Sequence, residues 1–398
     1  MNILVLDEEF PYPLNTGKRI RSYHLHSRLA RRHTVHYLAY GRPDSAAYRY
    51  LEKAGLHPHA VPHNVQEKSG PLFYYRLAAN LWCRRPYIVT SHHSRAFASA
   101  VTEAVTSISP ELVICEWTPY AVFLPYIEHT KVLIAAHNIE ADIWRRYEEH
   151  EKSMFKRWYI RQQAKKVARF EQFVFLAVDA ITAVTAADAA KIADVAPGTT
   201  TAVIENGVDL DYFYPAGTDA HAQRLVFTGS MDWRPNQDAA EFFIQDIYPL
   251  LQKTYPNTEV CFVGRNPPGF IRDFNKIKGV TVTGTVDDVR PYVRDAAVYI
   301  VPLRIGGGSR LKILEALAMG QAVVSTTVGA EGLAVCDGRE ILLADSPVAF
   351  ARQTARLLDD AEFRRQLGRA GRSFVEQKHG WDALAGKLAD FLESIAAS

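Results

Sequence analysis

The 398 residues carry 46 basic and 44 acidic side chains, a net charge of +2 with no long run of one sign, which argues against a nucleic-acid-coating role. Four scattered cysteines, Cys83, Cys115, Cys261 and Cys336, lack CxxC spacing and suggest neither a disulfide framework nor a zinc site; no apolar run approaches the ~20 residues of a membrane span. The length exceeds what one core usually supports, so two domains of about 200 residues are expected. At the start, "MNILVLDEEF" offers only four consecutive apolar residues before Asp7. That is too few for a signal peptide, and a cytoplasmic protein is expected.

Short apolar runs then recur at 3–6, 112–115, 132–135 and 181–184, and again at 225–227, 260–263, 280–283, 298–301 and 322–325. Strands buried on both faces read this way. Helix-like segments such as 18–32, 92–107, 236–253 and 309–319 fall between most of them, so the fold class is α/β with doubly wound parallel sheets. The pattern occurs twice. Residues 204–224, rich in Asn, Gly, Asp and Pro, read as a linker. The expected division is a Rossmann-like domain over 1–205, a second over 206–378, and a closing helix over 379–398 that returns toward the first. Two such domains facing each other form a cleft, and ligands in these sheets bind beyond the carboxyl ends of the strands.

"VYIVPLRIGGGSRLKILEALAMG" runs strand, glycine loop, helix, with Gly320 at the helix stop. Leu311, Leu314 and Ala318 share one helix face and should pack on the sheet; Gly308, Lys312 and Glu315 share another. Backbone N–H groups at such a helix start make an anion site. Arg310 and Lys312 fall in the first turn, where the helix dipole disfavours cations by ~0.3–1 kcal/mol, so a bound phosphate is the expected counter-charge. Glu315, one turn deeper, suits hydroxyls attached to that phosphate. The competing reading is a surface ion-pair group on an ordinary helix. GxxxxGK[ST] is absent, as is a GxGxxG after the first strand.

At these residues the chain resembles glycosyltransferase family 4, the retaining sugar-nucleotide transferases of the GT-B fold. The likeness extends to "FPYPLNTGKRIRSYHLHSRLARRH", "AAHNIE" at 135–140, "VIENGVDLDYFYP" and "FTGSMDWRPNQDAAEFF". It implies that Glu315 binds the nucleotide ribose and that Gly306, Gly307, Gly308, Ser309 and Arg310 with Lys312 form the pyrophosphate site, with Leu311 also on the donor side. Gly229, Ser230, Arg234 and Thr283 complete the donor side. The family commonly has a glutamate at the position of Gly307, and an arginine and a lysine at those of Ser230 and Pro235. Arg310 and Lys312, with Arg234 assisting, are therefore expected to carry more of the phosphate charge.

In the first domain, Gly17 allows close backbone approach to a ligand, and Lys18 stands where a second glycine is frequent in the family. His137 follows a strand at its carboxyl end and resembles the family histidine near the reacting sugar. His92 and His93 are expected at the surface, and the "DLD" at 209–211 is expected to be a turn or cap rather than a metal site. Residues 144–169 hold nine basic and three acidic residues with interleaved aromatics. A membrane-surface helix and a solvated helix with its aromatics in the core both remain open for that segment.

The resulting expectation is a metal-independent hexosyltransferase with His137, Arg310 and Lys312 as catalytic residues and no cofactor beyond its co-substrate. The donor is a nucleoside diphosphate sugar, UDP-linked or GDP-linked; the acceptor is a glycan or a lipid-linked glycan of cell-surface polysaccharide or glycoconjugate synthesis. No nucleic-acid partner is expected, and the location is the cytoplasm or the inner membrane face. The costly step is charge developing on the departing diphosphate, and each good preorganised donor there contributes about 3–4 kcal/mol. No glycosidase-like carboxylate pair is evident, so same-face departure and attack is favoured. A GT-B epimerase and a non-catalytic sugar-nucleotide-binding protein are the rival readings.

Overall fold

All nine apolar runs become strands in the computed structural model, which describes residues 1–62, 70–215, 221–305 and 310–397. The chain divides into two compact units, Met1–Glu205 with the segment from Leu384 on, and Asn206–Ala383. The first unit is built on β1 (Asn2–Asp7), β2 (Thr34–Tyr40), β3 (His57–Val61), β4 (Leu112–Cys115), β5 (Lys131–Ala136), β6 (Ala180–Ala183) and β7 (Thr200–Val203). These pair in parallel in the order β3-β2-β1-β4-β5-β6-β7. Chain order reverses on either side of β1, so the crevice beyond β1 and β4 is where such a sheet receives a ligand.

The second unit repeats the plan with β8 (His221–Thr228), β9 (Glu259–Val263), β10 (Val280–Gly284), β11 (Ala296–Val301), β12 (Ala322–Ser325) and β13 (Leu342–Leu343). The order is β10-β9-β8-β11-β12-β13, again all parallel. Its switch point lies beyond β8 and β11. Both sheets are covered by helices, and the β1, β4, β8, β11 and β12 side chains that make the core are almost wholly buried.

Four strands were not legible as apolar runs: β2, β3, β7 and β13. Three of these are sheet edges, and β2 lies next to one; His36, His57 and His59 interrupt the pattern of β2 and β3, two threonines open β7, and β13 is only two residues long. The expected linker is also shorter, because His221–Arg224 opens β8. Arg224 is accommodated there by pairing with Glu259 at 2.7 Å and with Asp295.

Where the linker begins, a cradle forms within the second unit. Val208 N–H donates to the His379 carbonyl at 2.8 Å, and the His379 ring donates from Nδ1 to the Asn206 carbonyl at 2.8 Å. A Cβ on Gly207 would meet the buried Trp381 ring at 2.6 Å, so only glycine leaves room for that indole. The last helix, Trp381–Ala397, is joined from Leu384 on to the first unit by Lys387–Glu205 at 3.0 Å and by Arg32 pairing with Asp390 and Glu393. The far division thus falls after Ala383, a few residues beyond the expected 378.

Candidate functional site

The opening question in the second unit is what the helix Leu311–Ala318 does with its polar residues. Leu311, Leu314 and Ala318 are buried as the spacing requires, and the helix closes on Gly320 at φ +71°. Gly320 N–H donates to the Leu317 carbonyl and Gln321 N–H to that of Ala316, which caps the last turn. Lys312 points away from the sheet core toward the end of β8. Its Nζ donates to Asn236 Oδ1 at 2.7 Å and lies 4.2 Å from the centroid of the Phe227 ring. Among the described residues no carboxylate lies within ion-pair distance of it. Burial therefore pushes Lys312 down from the ordinary lysine range; the charge of Glu315 opposes this, and that of Arg310 adds to it. Burial likewise pushes Glu315 up, with Lys312 opposing. Among the described residues neither group has an ion-pair partner.

The backbone beside Lys312 is unusually close. Gly229 N–H donates to the Val263 carbonyl, and a Cβ on Gly229 would meet both Lys312 Nζ and Asn236 Nδ2 at 2.8 Å. A Cβ on Gly264 would fall on the Gly229 carbonyl. A Cβ at Gly229 would push aside the tips of Lys312 and Asn236, and the φ of +159° there strains any other residue, so Gly229→Ala is expected to lower the melting temperature as well as displace Lys312. In the folded variant, affinity for a nucleoside diphosphate should fall at least ~10-fold, as measured by titration calorimetry.

Ser230 next to it accepts from Arg265 Nε at 2.7 Å and donates to Asp232 Oδ1 at 2.7 Å; the Ser230 carbonyl accepts from Asn236 Nδ2 at 2.8 Å. Arg265, from the end of β9, and the buried Asn236 thus join the cluster although the sequence reading passed over both. Arg310 departs from expectation. It precedes the helix at φ 51°, and its guanidinium grips Glu331 at the carbonyl (3.0 Å) and the carboxylate (2.9 Å). Arg234 is exposed at the start of its helix, and Thr283 Oγ1 donates to the Gly284 carbonyl at 2.9 Å. Gly306, Gly307, Gly308 and Ser309 lie outside the described residues.

The first unit gathers a second cluster at its own switch point. Gly17 opens the helix Gly17–Leu29, which Thr16 caps by accepting from Arg19 N–H. Lys18 is bound at 2.6 Å by Asp7 and at 2.9 Å by Glu8. Burial alone would lower Lys18, but those two carboxylates hold it above the ordinary range, so its charge is already matched within this unit. His137 Nε2 lies 2.7 Å from the Glu116 carbonyl, which can only accept, so that nitrogen carries a proton.

The Glu116 carboxylate lies 3.3 Å from the same nitrogen and is gripped by Ser22 Oγ at 2.6 Å and His26 Nε2 at 2.8 Å. Burial would raise Glu116, yet the charge of His26 and the hydrogen bonds from both histidines hold it well below the usual carboxylate range. Glu140, whose carboxylate accepts from Trp117 Nε1 at 2.8 Å, is instead pushed up by burial. His92 and His93 correct the surface reading: His92 lies 3.4 Å from Glu8 with its ring edge-on to Trp117, and His93 stacks on Phe123. Asp209 Oδ1 accepts from the N–H groups of Asp211 and Tyr212, the turn role expected for "DLD".

Two all-parallel sheets, each with a polar cluster at its switch point, define a two-domain α/β protein of the GT-B fold. A family model described as Glycosyltransferase Family 4 matches residues 19–212, and one described as Glycosyl transferases group 1 matches residues 222–360. The chain belongs to glycosyltransferase family 4, of the group 1 type. Among curated relatives, the phosphatidyl-myo-inositol mannosyltransferase of Mycobacterium tuberculosis is 26% identical over 223 residues, covering 51% of this chain and 56% of that protein. The chain spans about half the length of the curated relatives it matches. Among solved structures, sucrose-phosphate synthase from Thermosynechococcus elongatus superposes with a TM-score of 0.74 at 19% identity over all of both chains. Anabaena HepE in complex with UDP-glucose gives 0.69 at 14% identity over 99% of this chain and all of that one. At these identities the likeness is one of fold.

Proposed function

We propose that the protein transfers a sugar from a nucleoside diphosphate sugar to a glycan or lipid-linked acceptor at the cytoplasmic face of a membrane, with retention and without a metal ion. The observation that carries this reading is Lys312, a desolvated cation lacking a carboxylate partner among the described residues, set against the backbone of 229–230 with Glu315 one turn away. A diphosphate supplies the missing anion, and the ribose hydroxyls beside it suit the Glu315 carboxylate. Arg265 brings a second cation to the same strand ends, and the N–H groups of 306–309 are assigned to the pyrophosphate. His137, with its proton fixed on Nε2, faces the sugar or the incoming hydroxyl. The bond to the leaving phosphate breaks as the acceptor oxygen attacks the same face, and the departing phosphate oxygen takes the acceptor proton. HepE, bound to UDP-glucose, favours a UDP-sugar, and the relative named for phosphatidyl-myo-inositol favours a lipid-linked acceptor.

The test begins with a donor screen by thermal shift, since a ligand that binds the native state raises its melting temperature. One class of nucleoside diphosphate sugar should shift it by several degrees, with about 2.7 kcal/mol expected at 100-fold excess over Kd. Transfer with that donor should survive chelator, and the product should keep the donor's anomeric configuration by NMR. Reversible loss in chelator with rescue by magnesium or manganese overturns the metal-free part, and an inverted product overturns retention. The raised Glu140 beside His137 supplies an acid of the kind an epimerase needs. Incubation without acceptor separates that reading, because only an epimerase converts the donor into a new sugar nucleotide.

A further inference from the structure

We infer that the helices Gly70–Asn80 and Met154–Ala177 form one face that docks on a bilayer containing anionic lipids. The two elements are tied together by polar contacts. Gln163 donates to Asn80 Oδ1 at 3.0 Å and accepts from Tyr87 N–H at 2.8 Å, while Lys166 Nζ donates to the carbonyls of Asn80 (2.6 Å) and Leu81 (3.1 Å). These contacts use the inner side of the long helix. In the first turns of that helix, N-terminal to these contacts, large apolar residues are left in solvent: Phe155 is 89% exposed, Met154 84% and Trp158 53%. The neighbouring segment does the same with Trp82 at 84%, Tyr75 at 70% and Tyr74 at 67%. Trp144 packs against the core, but the exposed aromatics on these two joined elements are an apolar surface without a cover among the described residues.

Charge selects the occupant. Residues 144–169 hold nine basic and three acidic side chains, and residues 70–87 hold three basic and no acidic ones. The Glu148 carboxylate is paired with Arg161 of the same segment, and Arg84, Arg85, Lys152, Lys156 and Lys165 are exposed. A second copy of the chain would bring an equal excess of positive charge against this face and be repelled. An anionic membrane surface attracts the lysines and arginines while the aromatic rings settle at the headgroup boundary. Lys166 is excluded from this set because it holds the 80–81 backbone. The inference stands on this surface alone, and its test uses neither donor nor acceptor, so its failure leaves the transfer reading untouched.

The full chain is sedimented at low salt with vesicles of phosphatidylcholine alone or mixed three to one with phosphatidylglycerol. The mixed vesicles should retain the protein and shift its tryptophan emission to the blue; pure phosphatidylcholine should not, and 0.5 M salt should release it. Trp82→Ala with Phe155→Ala should lower partitioning about tenfold or more, and Lys156→Glu with Lys165→Glu by a similar factor. All four positions are exposed, so circular dichroism and melting should match wild type; if Trp82→Ala unfolds, Phe155→Ser alone carries the aromatic arm. The proposal is overturned by no binding to mixed vesicles at low salt, by binding that ignores these substitutions, or by a dimer in light scattering that Phe155→Ser dissolves.

Discussion

Lys312→Met is expected to lower kcat by about 10² or more while the melting temperature stays level or rises. The two effects share one cause. In the unliganded protein Lys312 is partly buried against Asn236 and the Phe227 ring, with no carboxylate close enough among the described residues to compensate its charge. A thioether of similar length keeps the contact with Phe227 and removes the desolvation cost, so stability does not suffer. During transfer the position faces growing negative charge on the leaving diphosphate, and an uncharged side chain cannot answer it. Steady-state kinetics decide the point: a change confined to KM means uniform binding of ground and transition states.

Arg310→Lys and Arg310→Ala are the companions. Lysine cannot reproduce the two-point hold on Glu331, so Arg310→Lys should also be costly. Wild-type kcat from both Lys312→Ala and Arg310→Ala, with folding intact, would leave these cations with structural roles only and sink the phosphate-site argument.

Glu315→Gln is expected to weaken donor binding by roughly 10- to 100-fold, the range of hydrogen bonds to a charged group. Among the described residues its carboxylate accepts no hydrogen bond, and its closest electrostatic influence is Lys312, three residues earlier on the same helix. A ribose offers two hydroxyl donors. Titration of wild type and Glu315→Gln with a nucleoside diphosphate and its 2′,3′-dideoxy analogue completes a double-mutant cycle. Removing the hydroxyls should cost the variant little further affinity. Full additivity of the two losses would place the ribose elsewhere.

Both of these residues were legible in sequence because helix periodicity and a glycine loop put Lys312 and Glu315 on one face. The central strands were legible for a related reason: a strand buried on both sides has no room for polar residues. What escaped was everything that depends on contacts between distant segments. Asn236 reads as an ordinary third residue of a helix until Lys312 and Ser230 are seen against it. Arg265 follows β9 in a glycine-containing turn, and only the folded sheet sets it beside Ser230. The polar partners of His137 escaped likewise, since Ser22, His26 and Glu116 come from far apart in the chain. For Arg310 the sequence points to a bound phosphate as counter-charge, because no local pattern links it to Glu331, 21 residues on.

The helix Gly17–Leu29 has a bearing on how this chain tolerates insertions and deletions. Lys18 reaches Asp7 and Glu8, Arg21 donates to the carbonyls of Ile204 and Glu205, and Ser22 and His26 close on Glu116, all from one short rod. Each α-helical residue turns the next by about 100°, so one extra residue between Lys18 and Ser22 would swing Ser22 and His26 away from Glu116. No side-chain adjustment spans that rotation. An inserted residue within 17–26 is therefore a frame error that the fold cannot absorb, whereas one in a loop outside it leaves these contacts in phase.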